Sequence, residues 1–233
     1  MIAIAVAQPR CTSYDVAANV AAHAEAVRAA GSRVVVFPEL SLTGYHLDAP
    51  VVPFELLEPL VAACAETGAV AFAGAPVAGP HIGVLEVSGA GVRVAYRKMW
   101  LGGREPVRFR PGGAPAVVEV DGVRLGLAVC KDTGVPRHAA ETVALGVDVY
   151  VAGVLEHAWD AGVVEERARR IAVGHGVWVA VASFAGSTGE GYESAAGRSA
   201  VWDSSGGRIA SAGTGVDAVV RAVIPGRATD GGA

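Results

Sequence analysis

Short apolar runs rich in Val, Ile and Ala alternate along the chain with longer stretches whose apolar positions recur every three or four residues, the pattern of strands interleaved with helices. MIAIAVAQPRC reads as a first strand. Ser13 or Asp15 can cap a helix whose apolar face runs Val16, Val20, Ala24, Val27, and Gly31 supplies its stop. RVVVFPE then reads as a fully buried strand. A second helix, roughly residues 54–67, buries Leu57, Leu60, Val61 and Cys64 and ends at Gly68, after which AVAFAGAPV returns to strand. IGVLEVS and VRVAYRK, separated by Gly-Ala-Gly, predict a hairpin. AVVEV and VRLGLAVC flank Asp121-Gly122, a pair that favours the type I′ turn, so Cys130 closes the second arm of another hairpin. Pro136 can open a further helix, and VDVYVAGV is another buried strand. A helix over about 162–175 leads to the strand GVWVAVASF. GRSAVWDSSGGRIASAG predicts an edge hairpin, AVVRAVI a closing strand, and residues 226–233 a flexible tail. With no linker or composition shift, residues 1–225 read as one α/β domain, with mixed parallel and antiparallel pairing and helices covering the sheet faces.

Composition narrows the classes of function. Hydrophobic residues make up 52% of the 233 and charged ones 18%, which argues against a disordered or nucleic-acid-binding chain. The net charge of −4 comes from interspersed acids and bases, so no basic stripe invites a phosphate backbone. The N-terminus has no basic region before its apolar run, and Gln8 ends that run too early for a secretion signal. Gly, Asp, Glu and Arg interrupt every run before the ~18 apolar residues of a membrane helix. A soluble, cytoplasmic protein is expected, with a small-molecule substrate and no nucleic-acid or membrane partner. Cys11, Cys64 and Cys130 are an odd number without metal-ligand spacing, which argues against a disulfide framework or a zinc site.

Three reactive side chains stand where apolar runs give way to polar residues: Glu39 in VVVFPEL, Lys98 in VAYRKMWL and Cys130 in LGLAVCKD. The crevice beyond the carboxyl ends of strands is where α/β proteins bind ligands, so the three could share a pocket. Each also has an ordinary reading. Cys130 could be a small buried hydrophobe, Glu39 a cap for Thr43 or partner of an arginine, and Lys98 a snorkelling surface residue. A thiol of pKa ~8.5 needs a base or a cation beside it to act at neutral pH. Together the three make a base, a cation and a thiol, the set that acyl transfer through a thioester requires.

The blocks AVAQPR, Asp15 with Asn19, VVVFPELSLTGY, YRKMWL, REPVRFRPGG, LGLAVCKD, GVDVYVAG, GVWVAVASFAG and GRSAVWDSSGGRIAS occur in an order that resembles the nitrilase superfamily of carbon–nitrogen hydrolases over nearly the whole length. The resemblance implies a nitrilase-type α-β-β-α sandwich. It places Glu39 as general base, Cys130 as nucleophile, and Lys98 with the backbone N–H of Lys131 as oxyanion donors. Glu105, in GREPVRFRPG, matches a second glutamate that supports substrate or leaving group; a salt bridge to Arg104 or Arg108 is its plainer alternative. No metal or cofactor is implied, and a homodimer through helical faces, or a larger homo-oligomer, is.

The chain departs from the family's pattern at Lys131, where an aromatic residue is common, at Arg137 in place of a glutamate, at Trp100 in place of a histidine, and at Gly174-His175 in place of Glu-Asn. These changes bar transfer of a particular substrate. Tyr45, Lys131, Leu155 and Glu156 are candidates for contact with substrate, Tyr45 having packing on the sheet edge as an equal alternative. His157 reads as solvated, and GSTGEGYES as a surface loop without the lysine of a phosphate cradle. The resemblance favours hydrolysis of a small linear amide. Nitrile or N-carbamoyl hydrolysis by the same triad and a non-catalytic binding protein on the same fold are the alternatives. Acyl transfer to a nucleophile other than water belongs to a membrane-bound branch, which the lack of spans removes.

Overall fold

Alternation along β1 (Ile2–Gln8) shows how the layers arise: Ile2, Ile4 and Val6 belong to one apolar core, Ala5 and Ala7 to another. The computed structural model describes residues 1–225, and the tail expected over 226–233 lies outside the described residues. After β1 come α1 (Val16–Ala30), β2 (Val34–Val36), α2 (Glu58–Thr67), β3 (Val70–Val77) and the hairpin of β4 (His81–Ser88) and β5 (Gly91–Arg97). With β14 (Ala218–Ile224) they form one sheet, ordered β14-β1-β2-β3-β4-β5, in which β1, β2 and β3 run parallel.

The second sheet starts from the hairpin of β6 (Ala116–Val120) and β7 (Val123–Val129). It continues through α3 (Pro136–Ala144), β8 (Val149–Val154), α4 (Ala161–His175) and β9 (Trp178–Ser183). A small pair, β10 (Ala185–Gly186) and β11 (Ala195–Ala196), precedes β12 (Ala200–Trp202) and β13 (Arg208–Ser211). This sheet is ordered β13-β12-β9-β8-β7-β6, with β7, β8 and β9 parallel.

Branched residues of both sheets, among them Ile4, Val36, Leu127 and Val151, make the core between them. The reverse faces carry smaller residues against the helices: Ala5 and Ala71 under α1 and α2, Ala128 and Ala152 under α3 and α4. The result is the expected α-β-β-α sandwich. Among the described residues no helix is long and apolar enough to cross a membrane.

Local signals account for most boundaries. Asp15 accepts a hydrogen bond from the Ala18 N–H at 2.9 Å as the cap of α1, and Gly31 ends that helix in the left-handed region at φ 53°. Asp121 and Gly122 both have positive φ, 50° and 79°, as a type I′ turn requires. Two expectations need correction. The strand read as RVVVFPE is only Val34–Val36, because Pro38 cannot donate to a ladder and Leu40 turns to φ 50°. Val61 is half-buried rather than buried, lying at the margin of the helix–sheet core. The closing strand is present as expected: β14, the last strand among the described residues, returns from the second sheet to pair with β1 of the first.

Helix α1 also braces the segment that follows β2. His23, fully buried on α1, must carry its proton on Nδ1 to donate to the Asn19 carbonyl at 2.7 Å, which leaves Nε2 to accept from the Ser41 hydroxyl at 2.8 Å. Burial lowers its pKa to about 4. A histidine whose pKa falls on folding contributes stability that is complete above its unfolded value of ~6.5 and is lost as pH falls toward the folded value. His23 should therefore remove roughly 3 kcal/mol between pH 7 and pH 4. In urea titrations across that range, His23→Gln should show a shallower loss of stability than the parent; parallel curves would contradict this.

Candidate active site

Where the two sheets face each other, the chain leaving β2 passes between two glycines. A Cβ on Gly74 of β3 would stand 2.3 Å from the Leu40 nitrogen, and one on Gly153 of β8 would stand 2.5 Å from the Phe37 oxygen. Only residues without a side chain let strands of both sheets approach the Phe37–Leu40 backbone so closely. Glu39 is thereby fixed at the junction of the layers, three residues beyond its strand and 1% exposed.

Lys98 and Cys130 each follow directly on their strands, β5 and β7. Cys130 opens a short 3-10 turn, Cys130–Gly134, with φ 40°, a left-handed conformation that costs a non-glycine residue about 1–3 kcal/mol. Asp132 holds that turn. Its Oδ2 accepts from the Val129 N–H at 2.9 Å and from the Tyr96 hydroxyl at 2.8 Å, while Oδ1 accepts from the Trp100 N–H at 2.9 Å. One buried carboxylate thus ties the end of β7 to the chain just beyond Lys98. His138 stands behind it, with Nε2 2.8 Å from the Tyr96 hydroxyl and Nδ1 2.8 Å from that of Tyr150.

The reactive groups converge. Lys98 Nζ donates to Glu39 Oε1 at 2.6 Å and to Glu105 Oε1 at 2.7 Å, and the three residues are 1–2% exposed. Glu105 is held further by the Tyr45 hydroxyl on Oε1 at 2.8 Å and by the Gly102 N–H on Oε2 at 2.7 Å. The Cys130 thiol lies beside Glu39 and donates to the Leu155 carbonyl at 3.3 Å. Unlike Glu39, Lys98 and Glu105, the Cys130 residue is only partly buried.

Burial sets the protonation of the cluster. It raises the Glu39 pKa to about 8, with the Glu105 charge adding to the rise against the pull of Lys98 and Cys130. Burial, then the charge of Glu39, lifts the Cys130 thiol well above its usual range, although Lys98 pulls the other way. For Lys98 burial opposes the ammonium, but Glu39, Cys130 and Glu105 outweigh it and the pKa rises. The resting site is a lysine cation next to a protonated thiol.

The remaining candidates are close by. Leu155 is buried with Phe184 and Ala195, and Glu156 pairs with Arg167 at 2.7 Å. The Lys131 side chain is exposed and runs past Gly102. Glu105 forms no salt bridge with Arg104 or Arg108; Arg104 pairs with Glu190 at 3.2 Å, and Arg108 lies over the Phe109 ring. His157 is not a solvated side chain, because its ring lies flat between those of Trp159 and Tyr192 at 3.9 and 4.0 Å. Nor is GSTGEGYES simply a surface loop: Thr188 and Gly189 are buried, and the Thr188 hydroxyl accepts from the Tyr45 N–H at 2.8 Å. Sequence reasoning missed Tyr192, whose loop composition says where the chain turns but not what it covers. It also missed Gly74 and Gly153, although a glycine inside a strand run signals close approach.

The carbon-nitrogen hydrolase family model matches residues 3–229, and the chain belongs to this family. The protein is a carbon–nitrogen hydrolase. Its fold is similar to that of a mutant amidase from Nesterenkonia sp. AN1 with acrylamide added at the active-site cysteine, at 22% identity over 97% of this chain and 94% of that one, TM-score 0.86. It is also similar to a mutant of that amidase in complex with butyramide, at 22% identity over 94% and 89% of the two chains, TM-score 0.84. Nit3 of Saccharomyces cerevisiae, a member of branch 10 of the nitrilase superfamily, shares 21% identity over 95% and 89%, TM-score 0.81. At these identities the likeness is one of fold. No curated protein matched the sequence significantly.

Because the Glu39 segment is pinned by backbone, Gly153→Ala should displace it rather than a flexible side chain. A loss of about 1–3 kcal/mol in thermal or urea unfolding is expected, together with loss of hydrolase activity. An unchanged, fully active Gly153→Ala protein would show that the close approach does not matter.

Proposed function

We propose that the chain hydrolyses a small linear amide through a thioester on Cys130, with Glu39, Lys98 and Cys130 as the triad and Glu105 as a fourth, supporting member. The observation that carries this is the buried lysine ammonium bonded to two carboxylates beside a cysteine that is itself only partly buried. An ammonium has three hydrogens. Two are committed to Glu39 and Glu105, and the third is left for an oxygen bound over Cys130.

Glu39 takes the thiol proton as Sγ attacks the amide carbon. The oxyanion so formed is held by Lys98 Nζ and the Lys131 N–H, each such donor being worth ~3 kcal/mol. Collapse passes the proton from Glu39 to the departing nitrogen, which leaves as ammonia or an amine. Water then gives a proton to Glu39 and attacks the thioester carbon, and the second collapse releases the carboxylic acid and returns the proton to sulfur. Glu105, with one lone pair on Oε2 not taken up by its known partners, is suited to accept from the amide N–H and orient the leaving group.

Acrylamide and butyramide in complexes with mutants of the Nesterenkonia amidase of the same fold favour amides over nitriles or N-carbamoyl compounds. A non-catalytic binding role would leave the strained Cys130 and the cost of burying the Lys98 ammonium with two carboxyl groups unexplained. In this reading residues 1–225 act as one domain and pair through the outer helices as a homodimer.

Ammonia release should be followed over short amides, carbamoyl amino acids and nitriles with the parent and with Cys130→Ala and Glu39→Gln. The reading expects turnover of short amides by the parent and a loss on the order of 10⁴-fold in either variant; amide turnover that survives Cys130→Ala would overturn it. Glu39 must be ionised to accept the proton, and its pKa is raised. Activity present above about pH 8 should therefore fall as pH drops through that value, by about tenfold per unit. A kcat/KM profile that is flat from pH 5 to 9 would contradict the role of Glu39.

A further inference from the structure

Residues 187–194 leave β10 and return at β11, and the Tyr192 ring of this arch packs against Tyr45, whose hydroxyl is bonded to Glu105. The Tyr192 ring is half-buried and meets the Tyr45 ring edge to face at 5.4 Å. Burial, then the nearby charges of Cys130, Glu156, Glu39 and Glu105, pushes its phenol up to about 12, which places it in the electrostatic field of the site.

Behind Tyr192 the rings of His157 and Trp159 stack at interplanar angles of 13° and 12°, and Trp159 is 74% exposed. His157 Nδ1 is buried and has no hydrogen-bond partner among the described residues, so the place of this ring is set by stacking. Four rings in contact therefore run from the surface to Tyr45, whose hydroxyl is bound to Glu105.

The arch is anchored at several points. The Thr188 N–H donates to the Tyr192 carbonyl at 2.9 Å, and the Thr188 hydroxyl accepts from the Tyr45 N–H. At the far side the Ala158 N–H donates to the Ser194 carbonyl at 3.0 Å and the Ala196 N–H to the Glu156 carbonyl at 2.9 Å. Beneath it Leu155, Phe184 and Ala195 form a buried apolar cluster against which Tyr45 and Tyr192 pack. The carbonyl of Leu155 touches the Cys130 sulfur, so this cluster begins at the nucleophile. A rigid aromatic wall over an apolar floor, starting at the attacking atom, is a subsite for the group attached to the reacting carbon.

We propose that Tyr192, backed by His157 and Trp159 and set against Tyr45, is the specificity-determining wall of the acyl subsite, admitting short uncharged acyl groups and stopping longer ones. This rests on the thioester reading above. A straight acyl chain growing from the carbon attacked by Cys130 meets the Tyr192 ring, and the stack behind that ring keeps it from yielding.

The test is the chain-length selectivity, the ratio of kcat/KM for hexanamide to that for acetamide. Tyr192→Ala should raise the ratio about tenfold or more, Tyr192→Phe should keep the parent ratio because the ring forms the wall, and Trp159→Ala should give an intermediate rise. Tyr192→Leu serves where the alanine variant does not fold, with a rise in the same direction. A ratio within threefold of the parent in whichever of the alanine and leucine variants folds would overturn the proposal. Adding Cys130→Ala to the variant used must abolish ammonia release from hexanamide. If release persists, the thioester reading fails rather than the wall.

Discussion

A single ammonium group buried between two carboxylates governs this structure. Lys98, 1% exposed, sits 2.6 Å from Glu39 and 2.7 Å from Glu105, and neither carboxylate reaches solvent. Taking an ammonium and its carboxylate partners out of water costs several kcal/mol per ion, and only close, well-aligned partners offset it. The pairing therefore requires that the three residues be delivered with little freedom. They come from the chain after β2, the end of β5 and the short helical turn that begins at Glu105.

The fold meets that requirement by backbone contact and buried polar struts. Gly74 and Gly153 let both sheets close on the Glu39 segment, while His23 supports it from α1 through Ser41. Asp132 joins the turn of Cys130 to the chain after Lys98, so the cation and the thiol are registered by one carboxylate. The same arrangement holds Cys130 in its left-handed conformation. The burial that lifts the Glu39 pKa is thus both the stability problem of the site and the source of a base that titrates near physiological pH.

Much of this was legible in the chain. Lys98 and Cys130 follow apolar runs of strand type, and the Asp121-Gly122 turn fixes the register of the arm that ends at Cys130. Glu39 was recognisable as chemistry, yet its strand was read three or four residues too long, because the run VVVFP stays apolar where Pro38 already ends the ladder. The stack of Tyr192, His157 and Trp159 was not legible. Its parts lie up to 35 residues apart, joined through hydrogen bonds such as Tyr45 N–H to Thr188 that no local pattern encodes. Likewise Gly153 could be marked as a site of close approach, but its partner, the backbone of Phe37, follows a strand of the opposite sheet.

The account turns on Cys130 becoming covalently attached to the acyl group while Lys98 and Glu39 stand over it. The most direct measurement is the intact mass of the protein, quenched in acid during turnover of a short amide and followed by peptide mapping. The account predicts a species heavier by the acyl group, with the added mass on the Cys130 peptide and lost in Cys130→Ala. Steady hydrolysis with no added mass on rapid quenching, or with the mass on Cys11 or Cys64, would contradict it.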